Sequence, residues 1–158
     1  IEPDNADVHY LLGTLYLETG QKDKAIELLK QAVAINPDHD GSLNTLAYLY
    51  AQEKSRLPEA KDFITRALTI DPENGAYLDS LGWIHFQSGE FESALKVLLQ
   101  ADALLEDPVI KDHLGDVYLK LNQPQAALDH WQASIKLLPD QKNVQKKIDD
   151  LESQQSVK

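Results

Sequence analysis

Serine, histidine and aspartate, the residue types of a nucleophilic triad, occur at related positions of this 158-residue chain. Ser80 precedes His113 by 33 residues, and His113 lies next to Asp112 and three residues before Asp116. A serine nucleophile needs its base at about 3 Å, whereas side chains on neighbouring helices start from axes roughly 8 to 10 Å apart. No nucleophile elbow, glycine-rich phosphate loop or oxyanion element accompanies these residues. The sequence therefore predicts that the protein is not an enzyme.

The histidines could in principle bind a metal ion, but their spacing does not favour it. They are His9, His39, His85, His113 and His130. A helical metal site uses two histidines four residues apart, and no pair here has that spacing. The chain also has no cysteine, which excludes disulfide bonds, thiolate catalysis and thiolate ligands. We predict neither a metal site nor a cofactor.

The charge of the chain limits the classes of partner. The formal net charge is -11, and nucleic acids and anionic membrane surfaces both require basic patches. We therefore expect no nucleic acid partner. No stretch approaches the roughly 20 apolar residues that span a bilayer, so we expect no direct membrane insertion by this segment. The cytoplasm and the bacterial periplasm or envelope are both compatible with the absence of cysteine.

Helices must position these residues, because one pattern returns about every 34 residues. Each copy has a leucine, a small residue and, three positions later, a tyrosine or histidine. The four copies are Leu12, Gly13 and Tyr16; Leu46, Ala47 and Tyr50; Leu81, Gly82 and His85; and Leu114, Gly115 and Tyr118. Two further rows consist of Ala25, Ala60, Ala94 and Ala127, and of Pro37, Pro72 and Pro139. Apolar residues recur with a helical period, and small residues permit close packing of helices.

These rows resemble the tetratricopeptide repeat, which has a leucine-glycine pair and an aromatic residue on a first helix, alanine on a second and proline at its exit. The leading tryptophan of the family is absent. Its later phenylalanine is replaced by Leu29, Ile64, Leu98 and Trp131. The resemblance implies an all-α, right-handed superhelical solenoid of helix-turn-helix pairs. We expect repeats at residues 6–39, 40–74, 75–107 and 108–141, after the exit of a truncated repeat (1–5) and before a capping helix and tail (142–158).

Turn residues predict where the first helix of each pair ends. Gly20, Gly89 and Asn122 favour the left-handed conformation that closes a helix. Residues 55–57 lack glycine and form a longer connection, so this loop should be the least regular. Asp107 and Pro108 are typical of an N-cap and a first helical turn.

The resemblance also implies that the first helices line a concave groove where peptides or partner helices bind. Residues four apart share a helix face. The predicted partner-binding residues are Asn44, Tyr48, Asp79, Trp83, Asp112 and Asp116, with Tyr10 and Thr14 continuing the row. Family members that hold the carboxylates of chaperone tails present lysine, arginine and asparagine here. This row contains no lysine or arginine, so we do not expect that specificity.

The composition of the row predicts a protein or peptide partner with an apolar anchor and basic residues, because aromatic side chains bury much area and carboxylates attract cations. Two alternatives remain open. Trp83 and Phe86 can pack against the adjoining second helices while the aspartates form a solvated face. The segment can also be architectural, a spacer or self-association surface of a longer array without its own ligand.

A narrower similarity concerns bacterial envelope proteins with several such repeats. Residues 78–83, 107–110 and 113–116 are similar to the last repeats of those proteins. Several are lipoproteins, and some act as adaptors that bring substrates to a carboxyl-terminal processing protease. This similarity implies a scaffold for protein assembly.

Overall fold

The computed structural model describes residues 5–54 and 56–156, and the regular secondary structure in this part of the chain is all α-helix. The helices are α1 (Ala6–Glu18), α2 (Lys22–Ile35), α3 (Asp40–Glu53), α4 (Leu57–Ile70), α5 (Gly75–Gln87), α6 (Phe91–Leu104), α7 (Pro108–Lys120), α8 (Pro124–Leu137) and α9 (Lys142–Ser156). The predicted all-α solenoid is therefore confirmed. None of these helices is long and apolar enough to cross a bilayer.

Consecutive helices form four tightly packed pairs, α1–α2, α3–α4, α5–α6 and α7–α8. Each pair contacts the next through its second helix, as α2 contacts α3, and the first helices α3, α5 and α7 also contact in sequence. Among the described residues the second helices of neighbouring pairs make no comparable contact. The first helices therefore lie on the inner, concave side of the stack, which is where the predicted groove residues are located.

The small residues of the repeated rows are located where two helices of a pair approach most closely. A Cβ atom on Gly82 would lie 2.6 Å from Leu98 Cγ, and one on Gly115 would lie 2.3 Å from the Trp131 ring. The alanine row, comprising Ala25, Ala60, Ala94 and Ala127, is completely buried. Close approach of the paired helices thus explains both rows.

The turns within the pairs have the expected left-handed residues. Gly20 and Gly89 have φ values of 74° and 78°, and Asn122 has a φ of 59°. The second pair uses Lys54, with φ 56°, at the corresponding point. Ser55, part of the loop predicted to be least regular, lies outside the described residues. α4 begins at Leu57.

Both ends of the stack have well-defined side-chain contacts. The Val8 backbone amide donates to the Asn5 side chain, which caps α1, while the other residues of the predicted repeat exit, 1–4, lie outside the described part. At the opposite end, α9 buries the stripe Val144, Ile148 and Leu151. This stripe packs against the cluster formed by Ala127, Leu128 and Trp131 on α8.

Candidate protein-binding groove

The predicted contact residues lie on three successive first helices. Asn44 and Tyr48 belong to α3, Asp79 and Trp83 to α5, and Asp112 and Asp116 to α7. The structure brings Asn44, Tyr48 and Asp79 together in the lining of one depression of about 270 Å³. We refer to this depression between α3, α5 and α7 as the central depression. The aspartates of α7 lie instead beside α9.

A continuous aromatic surface extends across the same three helices. The Trp83 ring stacks on His113 with a centroid distance of 4.0 Å and on Phe86 at 4.7 Å. The Tyr48 ring centroid lies 6.3 Å from that of His113, with the two rings tilted by 41°. Phe86 also contacts Phe91 of α6 at 5.6 Å. Phe86 therefore packs on a second helix, as one alternative expected, whereas the partly buried Trp83 stacks on a first helix.

Asp79 does not present an open carboxylate. His113 Nδ1 donates to Asp79 Oδ1 at 2.8 Å, and both side chains are buried. The pair joins α5 to α7. No hydrogen bond joins His113 to Ser80, although both residues are within the described part of the chain. The Asp79 carboxylate contacts one edge of the His113 imidazole, and the Trp83 indole stacks on one face of the same ring. Asp79 and His113 therefore form a structural pair that links α5 to α7.

Lys147 of α9 forms salt bridges with both predicted carboxylates of α7. Its Nζ atom lies 2.7 Å from Asp112 Oδ1 and 2.7 Å from Asp116 Oδ1. The Trp131 indole also donates to Asp116 Oδ1 at 3.2 Å. The open cluster of three carboxylates expected from the sequence is therefore divided between two internal partners. Lys147 follows His113 by 34 residues, which is one repeat length. This spacing could have identified Lys147 from the sequence as a residue that faces the same row.

The surroundings of these groups shift their protonation. Burial raises the pKa of Asp116 above its ordinary value; Lys147 opposes this shift and the charge of Asp112 adds to it. Burial also raises the pKa of Tyr48, so this phenol stays protonated at neutral pH and can donate a hydrogen bond. Two carboxylates sharing one ammonium leave a negative charge at this end of the groove.

Two buried polar atoms of the groove lack a hydrogen-bond partner in the described structure, Asn44 Oδ1 and Trp83 Nε1. An unsatisfied buried group costs about 1–3 kcal/mol. One is an acceptor and the other a donor, the two functions that a peptide backbone supplies. Within residues 5–54 and 56–156, no cluster of histidine, aspartate and glutamate has the arrangement of a metal site.

A tetratricopeptide repeat family model matches residues 1–52. A TPR repeat-containing protein of Pseudomonas aeruginosa, PA4667, is 35% identical over 88 residues, which is 56% of this chain and 15% of that protein. The repeated helix pairs, the family model and this relative agree. The chain is a tetratricopeptide repeat protein.

Other tetratricopeptide repeat proteins extend the similarity to nearly the whole chain. The type IV pilus assembly protein PilF of P. aeruginosa is 27% identical over 148 residues, covering 92% of this chain and 58% of that protein. The solved PilF structure superposes with a TM-score of 0.79 at 26% identity, over 96% of this chain and 69% of that one. TTC0263 of Thermus thermophilus has a TM-score of 0.78 at 24% identity, over 95% and 82% of the two chains, and shows the fold alone.

The curated relatives are longer than this chain, which spans 15% of PA4667 and 58% of PilF. Tetratricopeptide repeat proteins generally mediate protein–protein interactions and are typically scaffolds without catalytic activity.

Proposed function

We propose that this chain is a non-catalytic scaffold that binds a partner peptide or protein through the concave surface of α3, α5 and α7. The single observation that carries the proposal is the juxtaposition of the central depression with the partly exposed rings of Tyr48 and Trp83, which both contact the buried His113 ring. Aromatic rings in a partly enclosed groove provide large contact area with little loss of conformational entropy. We keep all six predicted partner-binding residues in this proposal, and we expect the main contacts of the partner to fall on Asn44 and Tyr48.

The partner carries an apolar anchor and at least one basic residue. In the part of the chain that the structure describes, Asp79 and Asp107 line the central depression and no lysine or arginine does. Because His113 and Lys147 already engage three carboxylates, the apolar anchor contributes most of the affinity. The basic residue contributes mainly to orientation and to the rate of encounter. The similarity to bacterial envelope proteins with several repeats supports the same role, a scaffold or adaptor for protein assembly.

An architectural role is the alternative, and the outer face of α1 favours it. Leu11 and Leu15 are 63% and 53% exposed. The residues that correspond to Leu15 in the next three pairs, Leu49, Ile84 and Val117, are buried. An apolar face of this kind suits stacking or self-association.

Affinity capture with two matched variants tests the groove. Ala76→Trp adds bulk to an exposed alanine that lines the central depression, and Ala103→Trp makes the same change at an exposed position of α6. Proteins captured from the native lysate are identified by mass spectrometry, after circular dichroism shows that both variants are folded. We expect Ala76→Trp to lose a partner that Ala103→Trp retains, with weaker capture at high salt.

Equal capture by both variants would place the binding surface elsewhere and refute the groove proposal. Capture of the chain alone would support the architectural alternative.

A further inference from the structure

We infer that the central depression is an anchor subsite for one aliphatic side chain, of leucine size, within an extended peptide that also carries a lysine or arginine. This inference rests on the proposed function and deepens it. It depends on a local departure from the repeat at the connection between α6 and α7.

The connection between α6 and α7 is shorter than its counterparts and begins with an apolar residue. It has three residues, 105–107, whereas the connections after α2, α4 and α8 have four. The first residue after the helix is Leu105, where Asn36 and Asp71 follow α2 and α4. Leu138 follows α8 at the corresponding position. The short connection leads directly into α7, and Leu105 lines the central depression.

Gly75 allows Leu105 to reach that position. A Cβ atom on Gly75 would lie 2.6 Å from Leu105 Cβ, closer than real side chains approach. The other first helices α1, α3 and α7 start with Ala6, Asp40 and Pro108, each of which has a Cβ atom. Gly75, which has no Cβ atom, therefore leaves the space at the start of α5 that Leu105 fills. The subsite belongs to this junction alone among the described junctions between pairs.

The depression combines an apolar rim with a polar floor. Leu105 and Val109 are 39% and 42% exposed and form the rim. Asn44, Asp79, Ser80 and Asp107 contribute charged or amide and hydroxyl groups to the lining. The buried Asn44 Oδ1 has no hydrogen-bond partner in the described structure, so a rotation of the Asn44 side chain toward the depression would let a peptide N–H satisfy it. An aliphatic side chain on the rim and a backbone donor at the floor together match an extended peptide.

The size and the charge of the depression select this occupant. A volume of about 270 Å³ is below the roughly 300–1,000 Å³ of pockets for drug-sized ligands, and it suits a single side chain. Asp107 also lines the depression, and among the described residues no basic one does, which favours a cation beside the anchor. An amphipathic helix needs a longer apolar stripe. The ion pairs of Lys147 with Asp112 and Asp116 interrupt such a stripe at α7.

The test uses labelled peptides of sequence acetyl-Gly-Ser-Lys-X-Lys-Ser-Gly-amide, with X as leucine, alanine or aspartate. Binding to the full chain is measured by fluorescence anisotropy and by amide chemical-shift mapping. We expect the leucine peptide to bind at least tenfold more tightly than the alanine peptide, because a buried leucine side chain removes substantial apolar area from water. The largest shifts should fall on α3, the start of α5 and residues 105–110.

Leu105→Asp and Leu138→Asp form a matched pair, since both leucines follow a second helix and are 39% and 51% exposed. Leu105→Asp should abolish the preference for leucine, and Leu138→Asp should leave it unchanged. Equal affinities of the leucine and alanine peptides, equal behaviour of the two variants, or no binding at millimolar peptide would each overturn the inference. Tighter binding of a helical peptide, or self-association through this face, would also overturn it.

The capture experiment separates this inference from the proposed function. If Ala76→Trp loses a native partner while the peptides show no leucine preference, the groove binds protein and only the anchor subsite is wrong. If Ala76→Trp retains every partner, the proposed groove itself is wrong.

Discussion

At the scale of single residues, Asp116 shows how the structure changes the meaning of a predicted contact. It is held by Lys147 and by the Trp131 indole, and burial raises its pKa above the ordinary value of 3.8. A raised pKa means that its contribution to stability is fully present below the unfolded-state pKa and is lost as pH rises through the folded-state pKa. Lys147 limits this loss because it favours the charged carboxylate.

Lys147→Met should therefore raise the pKa of Asp116 further, since the opposing ammonium is removed while the side-chain stem is kept. The difference in the free energy of unfolding between wild type and variant should shrink on acidification, because a protonated Asp116 no longer needs a cation. Carboxyl carbon chemical shifts and denaturant unfolding measure the two effects. Lys146→Met, an exposed change on the same helix, is the control. An unchanged titration of Asp116 in Lys147→Met would contradict the assignment.

Gly115 and Gly13 occupy the same row but should respond differently to alanine. A Cβ atom on Gly115 meets the rigid Trp131 ring at 2.3 Å, whereas one on Gly13 meets the Leu29 side chain at 3.0 Å. Overpacking costs about 1–3 kcal/mol, and replacing glycine within a helix returns up to about 1 kcal/mol. Gly115→Ala should lower the free energy of unfolding, and Gly13→Ala should leave it within about 1 kcal/mol of wild type. Chemical denaturation compares them, and equal values would refute the packing explanation.

At the scale of elements, α9 closes the exposed side of the last pair with a narrow apolar stripe. Val144, Ile148 and Leu151 cover Trp131, and Lys147 links the helix to α7. Stability in repeat proteins is a sum of local terms and neighbour contacts. Loss of one end contact therefore affects the adjacent pair before the distant ones.

Ile148→Asp should detach α9 and expose Trp131, because a charge cannot be buried in that stripe without a partner. In a Trp83→Phe background, where Trp131 is the remaining tryptophan, the emission should shift to longer wavelength. Lys146→Asp, at an exposed position of α9, should leave the emission unchanged. A buried emission maximum in both variants would show that α9 does not depend on this stripe.

The helices could be predicted from the sequence more completely than the groove. The rows of Leu12, Leu46, Leu81 and Leu114 and their small neighbours recur because paired helices must approach closely, and a local constraint of this kind is repeated in every pair. The pairing of Asp79 with His113 and of Asp112 with Lys147 was not predicted, because it connects different pairs. The exposure of a carboxylate depends on the side chain that the next first helix presents, which a single row does not specify.

At the scale of the whole molecule, contacts in the described part of the chain run between neighbouring helices, and no central core there unites the two ends. The middle pairs are covered on both sides, while α1 exposes Leu11 and Leu15. Local openings should therefore cost less at the first pair than in the middle of the stack.

Hydrogen exchange should show this gradient, with the amides of α1 exchanging faster than those of α5. Mass spectrometry of peptides from the exchanged chain measures it. Equal protection along the stack would indicate one cooperative unit and contradict the additive behaviour expected for this architecture.

The coupling of Gly75 with Leu105 also has a consequence for how recognition can diverge. The contact lies at one junction, and the helix pairs before and after it have their own packing. Changes at position 105 can therefore alter the preferred ligand without refolding the rest of the stack, provided that position 75 keeps its glycine. Because the contact is with the Cβ atom of position 105, related chains should keep glycine at position 75 whatever side chain follows α6, and a library varied at position 105 alone would sample new specificities on an unchanged framework.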